Sequence, residues 1–216
     1  MSEREAYPAG VPCCVETLQP DPRAALDFYG ALLGWEFAGP GPRPGGLSGE
    51  YFVARVDGRD VAGIGSLADV GPAPVASWAT YVRVDSVEES TERAKVAGGN
   101  VLIGALDALP QPAAFGSPEA ALTLWRPPGY AGEEGQPIPR DVVAVMAPAA
   151  DEAAATVPPH WNVNLRVGDA DATVEQAAGL GGQILLAPLD TPGFRSAVVA
   201  DPQGAVFSIG QLIAGA

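Results

Sequence analysis

Two segments of the chain restate each other. Residues 78–107, "WATYVRVDSVEESTERAKVAGGNVLIGALD", align with residues 161–190, "WNVNLRVGDADATVEQAAGLGGQILLAPLD", and ten of these 30 positions are identical. Most of the remaining differences keep hydrophobic character. After a one-residue shift, "SPEAALTLW" (117–125) matches "DPQGAVFSI" (201–209). Self-similarity at a fixed offset marks a duplicated supersecondary unit, which cannot bury its apolar face alone and must pack on a neighbour. That requirement restricts the fold more than any bulk property of the chain.

Each copy has a readable form. Residues 78–84 and 161–167 carry apolar side chains at every second position, which predicts strands. Residues 86–97 and 169–180 change to helical spacing, with Asp169 as an N-cap and the pairs Gly98-Gly99 and Gly181-Gly182 as stops. "NVLIG" and "QILLA" read as short strands. "RSAVVADPQGAVFSIGQL" reads as two strands joined by a turn at Asp201-Pro202-Gln203-Gly204. Each unit is therefore β-α-β-β-β.

A further copy opens the chain. "PCCVETL" predicts a strand, and "PDPRAALDFYGALLG" a helix capped by Asp21, with Pro22 in its first turn and Gly34 at its end. "WEFAG", "EYFVARV" and "DVAGIGS" supply three more strands. "PRDVVAVMA" (139–147) weakly repeats "DGRDVAGIG" and predicts the surviving last strand of a fragmentary unit, whose missing part corresponds to residues 11–58.

Composition then limits the function classes. A hydrophobic fraction of 47% with only 18% charged residues predicts a compact globule with a substantial core. No apolar run approaches the roughly 18–20 residues that span a bilayer. The opening "MSEREAYPAG" lacks the basic-then-apolar pattern of a secretion signal, so a cytoplasmic location is expected. Twelve Lys and Arg against 26 Asp and Glu give a net charge of −14, which disfavours nucleic acid and anionic membrane surfaces as partners. Cys13 and Cys14 are adjacent, point to opposite faces of a strand, and suit a reducing compartment. With a single histidine, His160, the chain cannot supply several imidazoles to one metal.

The run "CVETLQPDPRAALDFYGALLGWEF" resembles the opening of the vicinal oxygen chelate superfamily, which includes glyoxalases, bleomycin-resistance proteins and extradiol dioxygenases. Asp21, Ala25, Phe28, Tyr29, Gly34 and Trp35 carry the shared spacing, and the endings "SPEAALTLW" and "DPQGAVFSI" resemble the superfamily's hairpin. The resemblance covers about residues 11–212. It implies an α+β fold in which repeated β-α-β-β-β units form curved, cup-like mixed sheets. The nearest pattern is the tandem type. The expected organisation is a complete module at 11–127, a Pro/Gly-rich linker at 128–139, and a shortened module at 140–213. The shortened module could pack on its fragment or complete itself against a second chain, as a homodimer.

Superfamily enzymes hold a divalent metal through His and Glu side chains in the cup. By this resemblance the corresponding positions are Cys14, Ala79 and Leu124 in the complete module, and Asn162 and Ser208 in the shortened one. The closing strand "VAGIGSL" adds neither carboxylate nor imidazole. A catalytic transition metal needs about three or four strong donors, so no metal and no other cofactor is expected.

Strand alternation then lists the cup-facing side chains. Glu16 follows Cys14 on the first strand, and Tyr81 and Arg83 follow Ala79. Asn164 and Arg166 follow Asn162, and Leu122, Leu124 and Ser208 come from the closing strands. The outcome is an apolar floor with a few polar groups, suited to a small molecule. Glu16 and Arg83 could form a structural ion pair or grip a polar substrate. Cys14 could be a nucleophile or a buried thiol acting as a small hydrophobe. His160 could be an acid or base, or an ordinary loop histidine. Of the aromatics, Tyr81 is kept as a contact, while Trp78 and Trp161 have the opposite parity and are assigned to helix packing. The leading function is metal-independent binding of an apolar or aromatic compound, in sequestration or antibiotic resistance. The alternative is acid–base catalysis on a small organic substrate by Glu16, Tyr81 and His160, and less favoured is a metal-dependent lyase or dioxygenase.

Overall fold

The computed structural model of the chain describes residues 7–43, 48–67, 75–99, 123–127, 130–132, 140–146, 161–191 and 193–213. The first unit begins with strand β1 (Pro12–Gln19), helix α1 (Pro22–Leu33), and strands β2 (Glu36–Pro42), β3 (Glu50–Val56) and β4 (Arg59–Ser66). Strand β5 (Ser77–Val82) and helix α2 (Val87–Val96) start the second. Two short strands follow, β6 (Thr123–Trp125) and β7 (Ala144–Met146). Strand β8 (Asn164–Val167), helix α3 (Ala170–Gly179), and strands β9 (Gln183–Thr191), β10 (Phe194–Ala200) and β11 (Val206–Leu212) form the last unit. The first and last units have the β-α-β-β-β form that their sequences predict. The expected strand "NVLIG" lies outside the described residues.

The helix ends follow local chemistry. The Asp21 carboxylate accepts from the backbone N–H groups of Arg23 and Ala24 at 3.0 and 3.1 Å, satisfying donors the first turn leaves open. Pro22 at the first turn loses no hydrogen bond. Gly34 closes α1 at φ 67°, a left-handed conformation that a side chain disfavours, and its N–H reaches the Gly30 carbonyl. Asp169 caps α3 through Ala172 N–H at 3.0 Å, and Ser86 caps α2 through Glu89 N–H at 3.1 Å.

The sheet order in the first half is β2-β3-β4-β1-β5. Strand β1 runs parallel to β4 and antiparallel to β5, so the second unit's opening strand extends the first unit's sheet. The last unit makes a separate sheet, β8-β11-β10-β9, with β8 parallel to β11. Strands β6 and β7 pair with each other. The fold is α+β, with few helices and curved mixed sheets.

The two larger sheets share one core. Phe28, Tyr29 and Leu32 of α1 and Val174 and Ala177 of α3 are buried in a single cluster with Ile64, Trp78, Val199, Phe207 and Ile209. The indole of Trp78 meets the Tyr29 ring edge-on, with ring centres 5.4 Å apart, and Tyr29 lies 5.6 Å from Phe207. Trp78 thus packs among the helices, as its strand parity predicts. A polar network runs through this core. One Asp201 oxygen accepts from Gln19 Nε2 at 2.6 Å and from the Tyr29 hydroxyl at 2.9 Å. The other accepts from the backbone N–H groups of Gln203 and Ala205, both at 2.9 Å. Trp78 Nε1 donates to the Tyr29 oxygen at 3.0 Å. Across the surface the Gln203 amide exchanges two 2.7 Å bonds with the backbone of Asp21. The face of the first sheet turned away from this core carries the candidate site.

Candidate functional site: a buried carboxylate between two tyrosines

Alternation along β1 sends Val15, Thr17 and Gln19 toward the helices and Cys14, Glu16 and Leu18 to the other face. Glu16 is only 3% exposed. Burial of a carboxylate is costly unless hydrogen bonds replace its water. Tyr51 of β3 supplies one, its hydroxyl donating to Glu16 at 3.1 Å. Tyr81 of β5 supplies a shorter one to the other oxygen. Burial first, and the neighbouring Glu16 charge second, raise the Tyr51 phenol well beyond its ordinary range, so it remains a donor at neutral pH.

Two glycines on β4 make room for this arrangement. An added Cβ at Gly63 would sit 2.0 Å from the Tyr51 oxygen and 3.1 Å from Glu16 Cβ. One at Gly65 would sit 3.0 Å from the Tyr51 ring. The Gly63-Ile64-Gly65 alternation therefore buries Ile64 in the core and leaves a bare backbone shelf on the opposite face for the tyrosine.

Cys14 lies two residues before Glu16, partly buried and not in a disulfide. Burial, then the charge of Glu16, push its thiol up to about 11 from 9.0. A two-unit rise lowers the thiolate fraction near neutral pH about 100-fold. Alkylation by iodoacetamide at pH 7.5 is accordingly expected to be much slower at Cys14 than at a free cysteine, and to accelerate about tenfold per pH unit toward pH 11. Peptide mapping over that pH range measures it. A rapid reaction at pH 7.5 is the opposing result and would favour Cys14 as a nucleophile.

The expected pairing of Glu16 with Arg83 does not occur. Arg83 lies beyond the end of β5, is exposed, and forms its ion pair with Asp85. Strand β5 ends at Val82, so Arg83 stands just outside it, where Asp85 is within reach of its guanidinium. Glu16 finds its partners in tyrosine hydroxyls instead.

In the last unit, Asn162 donates to Ser208 through a short amide–hydroxyl bond, so those two cup positions are brought together. Leu165 and Val167 pack on the core, which leaves Asn164 and Arg166 on the other face of β8, both exposed. Leu124 of β6 is partly buried. His160 and Leu122 lie outside the described residues.

The chelating positions of the superfamily do not fit a metal here. Cys14 offers a single thiol, Ala79 and Leu124 have no donor atom, and Asn162 and Ser208 are engaged with each other. Among the described residues, no three His, Cys, Asp or Glu side chains come together as a metal-binding group.

The chain is similar to known proteins over nearly its whole length. A Mycobacterium bovis protein named "Putative glyoxylase CFP32" is 31% identical over 263 aligned positions, which cover 97% of each chain. The anthracycline biosynthesis protein DnrV of Streptomyces peucetius is 30% identical, over 95% of this chain and 94% of its own. The chain belongs to the vicinal oxygen chelate superfamily. A glyoxalase/bleomycin resistance protein/dioxygenase superfamily member from Sphaerobacter thermophilus aligns with a TM-score of 0.44 at 14% identity, over 95% of this chain and 97% of that one. TnmS3, an antibiotic binding protein from Streptomyces sp. CB03234, aligns with a TM-score of 0.43 at 13% identity over 98% of this chain and 100% of that one. A scan against protein-family models finds no match.

An alignment of 263 positions that uses 97% of 216 residues leaves about 50 positions of the mycobacterial protein with no counterpart.

The sequence points to Glu16 and Tyr81 as site residues but singles out neither Tyr51 nor Gly63. A signal for them is present. Glycines at alternate positions of a strand, "GIG", mark a face where something approaches the backbone closely. What approaches is decided by the pairing of Tyr51 with Gly65 across β3 and β4.

Proposed function

We propose that this chain is a metal-independent small-molecule-binding protein of the vicinal oxygen chelate superfamily, acting in the cytoplasm. It holds an apolar or aromatic compound for sequestration, self-protection or resistance. The observation that carries this reading is the buried Glu16 carboxylate, aligned by Tyr51 and Tyr81 beside superfamily chelating positions that offer almost no metal donors. A few oriented polar groups on an otherwise apolar face are what a selective small-molecule site requires. The name of DnrV, an anthracycline biosynthesis protein, supports an aromatic compound as the occupant.

The proposed organisation is a complete module at 11–127 and a shortened one at 140–213. By the pattern of β1 and β5, the opening strand of the last unit would pair with that of the lost third unit. Among the described residues β8 stands instead at a sheet edge, with Asn164 and Arg166 exposed. A second copy of the chain, paired in a homodimer, would cover such an edge.

Native mass spectrometry and elemental analysis of the freshly purified protein test this reading together. The expected result is a dimer carrying an organic adduct and substoichiometric transition metal. Stoichiometric metal whose removal abolishes binding is the result that sinks it.

The buried carboxylate between two hydroxyls also supports a second reading, acid–base catalysis by Glu16 and Tyr81. Under that reading Glu16→Gln keeps binding and loses turnover, whereas sequestration involves no turnover to lose.

A further inference from the structure

Arg43 directly follows β2 and is 7% exposed, yet its Nε and Nη1 are buried without a hydrogen-bond partner among the described residues. A permanently charged guanidinium is rarely buried unpaired, because nothing replaces the water it has lost. Its place in the sheet gives the unmet donors a direction. Gly41 pairs with Tyr51 and Pro42 with Glu50, so the next residue, Arg43, alternates back to the Tyr51 side, opposite Gly49. An added Cβ at Gly49 would lie 3.5 Å from Arg43 Cδ, which agrees with that register. Glu50 points the other way, where it pairs with Arg23 of α1 at 2.5 Å. Arg43 therefore shares a face with Tyr51, Glu16 and the Gly63 shelf, and its positive charge acts on the Tyr51 hydroxyl.

We infer that Arg43 is the anchor for a carboxylate carried by the ligand, so that the cup selects an aromatic carboxylate over its uncharged analogue. This rests on the small-molecule-binding reading above and adds the class of compound. A carboxylate fits better than a phenol because it is already anionic at neutral pH and can meet the unfilled donors without first losing a proton. Tyr51 and Tyr81 donate to Glu16, so that carboxylate's demand is met within the site and the ligand's charge is left to Arg43.

The test uses two fluorescent probes of equal size, anthracene-2-carboxylate and anthracene-2-carboxamide, titrated at pH 7.5 into the full-length protein and into Arg43→Met. The wild type is expected to bind the carboxylate at least tenfold more tightly than the amide. Arg43→Met should abolish that preference and leave amide affinity within about twofold, while Arg43→Lys restores part of it. Thermal unfolding without ligand separates an anchor from a structural residue. Replacing a buried guanidinium that has unfilled donors by a shorter apolar chain should leave the midpoint nearly unchanged or raise it. A fall of several degrees in Arg43→Met would assign Arg43 a structural role and overturn the inference. So would a carboxylate preference that survives in Arg43→Met, or equal binding of both probes by the wild type, which would leave small-molecule binding itself intact. If neither probe binds the wild type, the aromatic-ligand reading fails and this inference fails with it.

Discussion

Asp201→Ala is expected to destabilise the protein by about 3–5 kcal/mol, a large fraction of the stability of a domain this size. The carboxylate is 4% exposed and accepts four hydrogen bonds, from Gln19, Tyr29 and the backbone of Gln203 and Ala205. Removing it leaves those buried donors with nothing to meet. Each such loss costs about 1–3 kcal/mol, with incomplete additivity because the donors share one acceptor. Since Gln19 and Tyr29 belong to the first unit and Asp201 to the last, the loss falls on the join between the two larger sheets. Tyr29→Phe removes only one donor and should cost about 1 kcal/mol. Urea unfolding of both variants measures the difference as a shift in midpoint at similar slope. A loss below about 1 kcal/mol for Asp201→Ala would mean that apolar packing alone holds the sheets together. The network also sets an alkaline limit. Burial, then the Asp201 charge, hold the Tyr29 phenol well above its ordinary 10.0. The folded state thus retains a proton that the unfolded chain releases, and the stabilisation present below about pH 10 is lost as the pH rises further.

Gly63→Ala is the second large expected effect, and it falls on the site rather than the scaffold. The new methyl would stand 2.0 Å from the Tyr51 oxygen and 2.7 Å from its ring carbon, distances no packing tolerates. The tyrosine must swing off its shelf, taking its hydrogen bond away from Glu16. Overpacking of this kind costs about 1–3 kcal/mol, which leaves a folded protein. Small-molecule affinity should fall tenfold or more, since the polar groups that orient the ligand no longer hold their positions. Tyr51→Phe separates the two components. It removes the hydroxyl without a clash, so its effect on binding should be smaller and its effect on stability close to the loss of one hydrogen bond. Titration of anthracene-2-carboxylate against the wild type and both variants checks this. Unchanged binding in Gly63→Ala would show that Tyr51 plays no part in holding ligand.

Much of the fold is legible along the chain. Caps at Asp21, Asp169 and the Gly34 stop fall where their residue types require, because a helix end is solved by atoms a few residues away. Trp78 is core and Ala79 faces the site, as two-residue alternation demands. The reading fails for Arg83 because β5 ends at Val82, and the exposed guanidinium just beyond it pairs with Asp85. Tyr51 escapes a reading along the chain because its role depends on a neighbour in space, the glycine shelf of the adjoining strand.

The amino-acid order by itself determined the repeating unit and the helix boundaries, since each depends on residue type and short spacing. Only the tertiary structure decided which groups satisfy Glu16, that Asp201 joins two units 182 residues apart through Gln19, and that the Arg43 guanidinium is buried with donors unfilled. Those outcomes depend on which strands lie side by side and on how water is excluded between them, and neither is a property of neighbours along the chain.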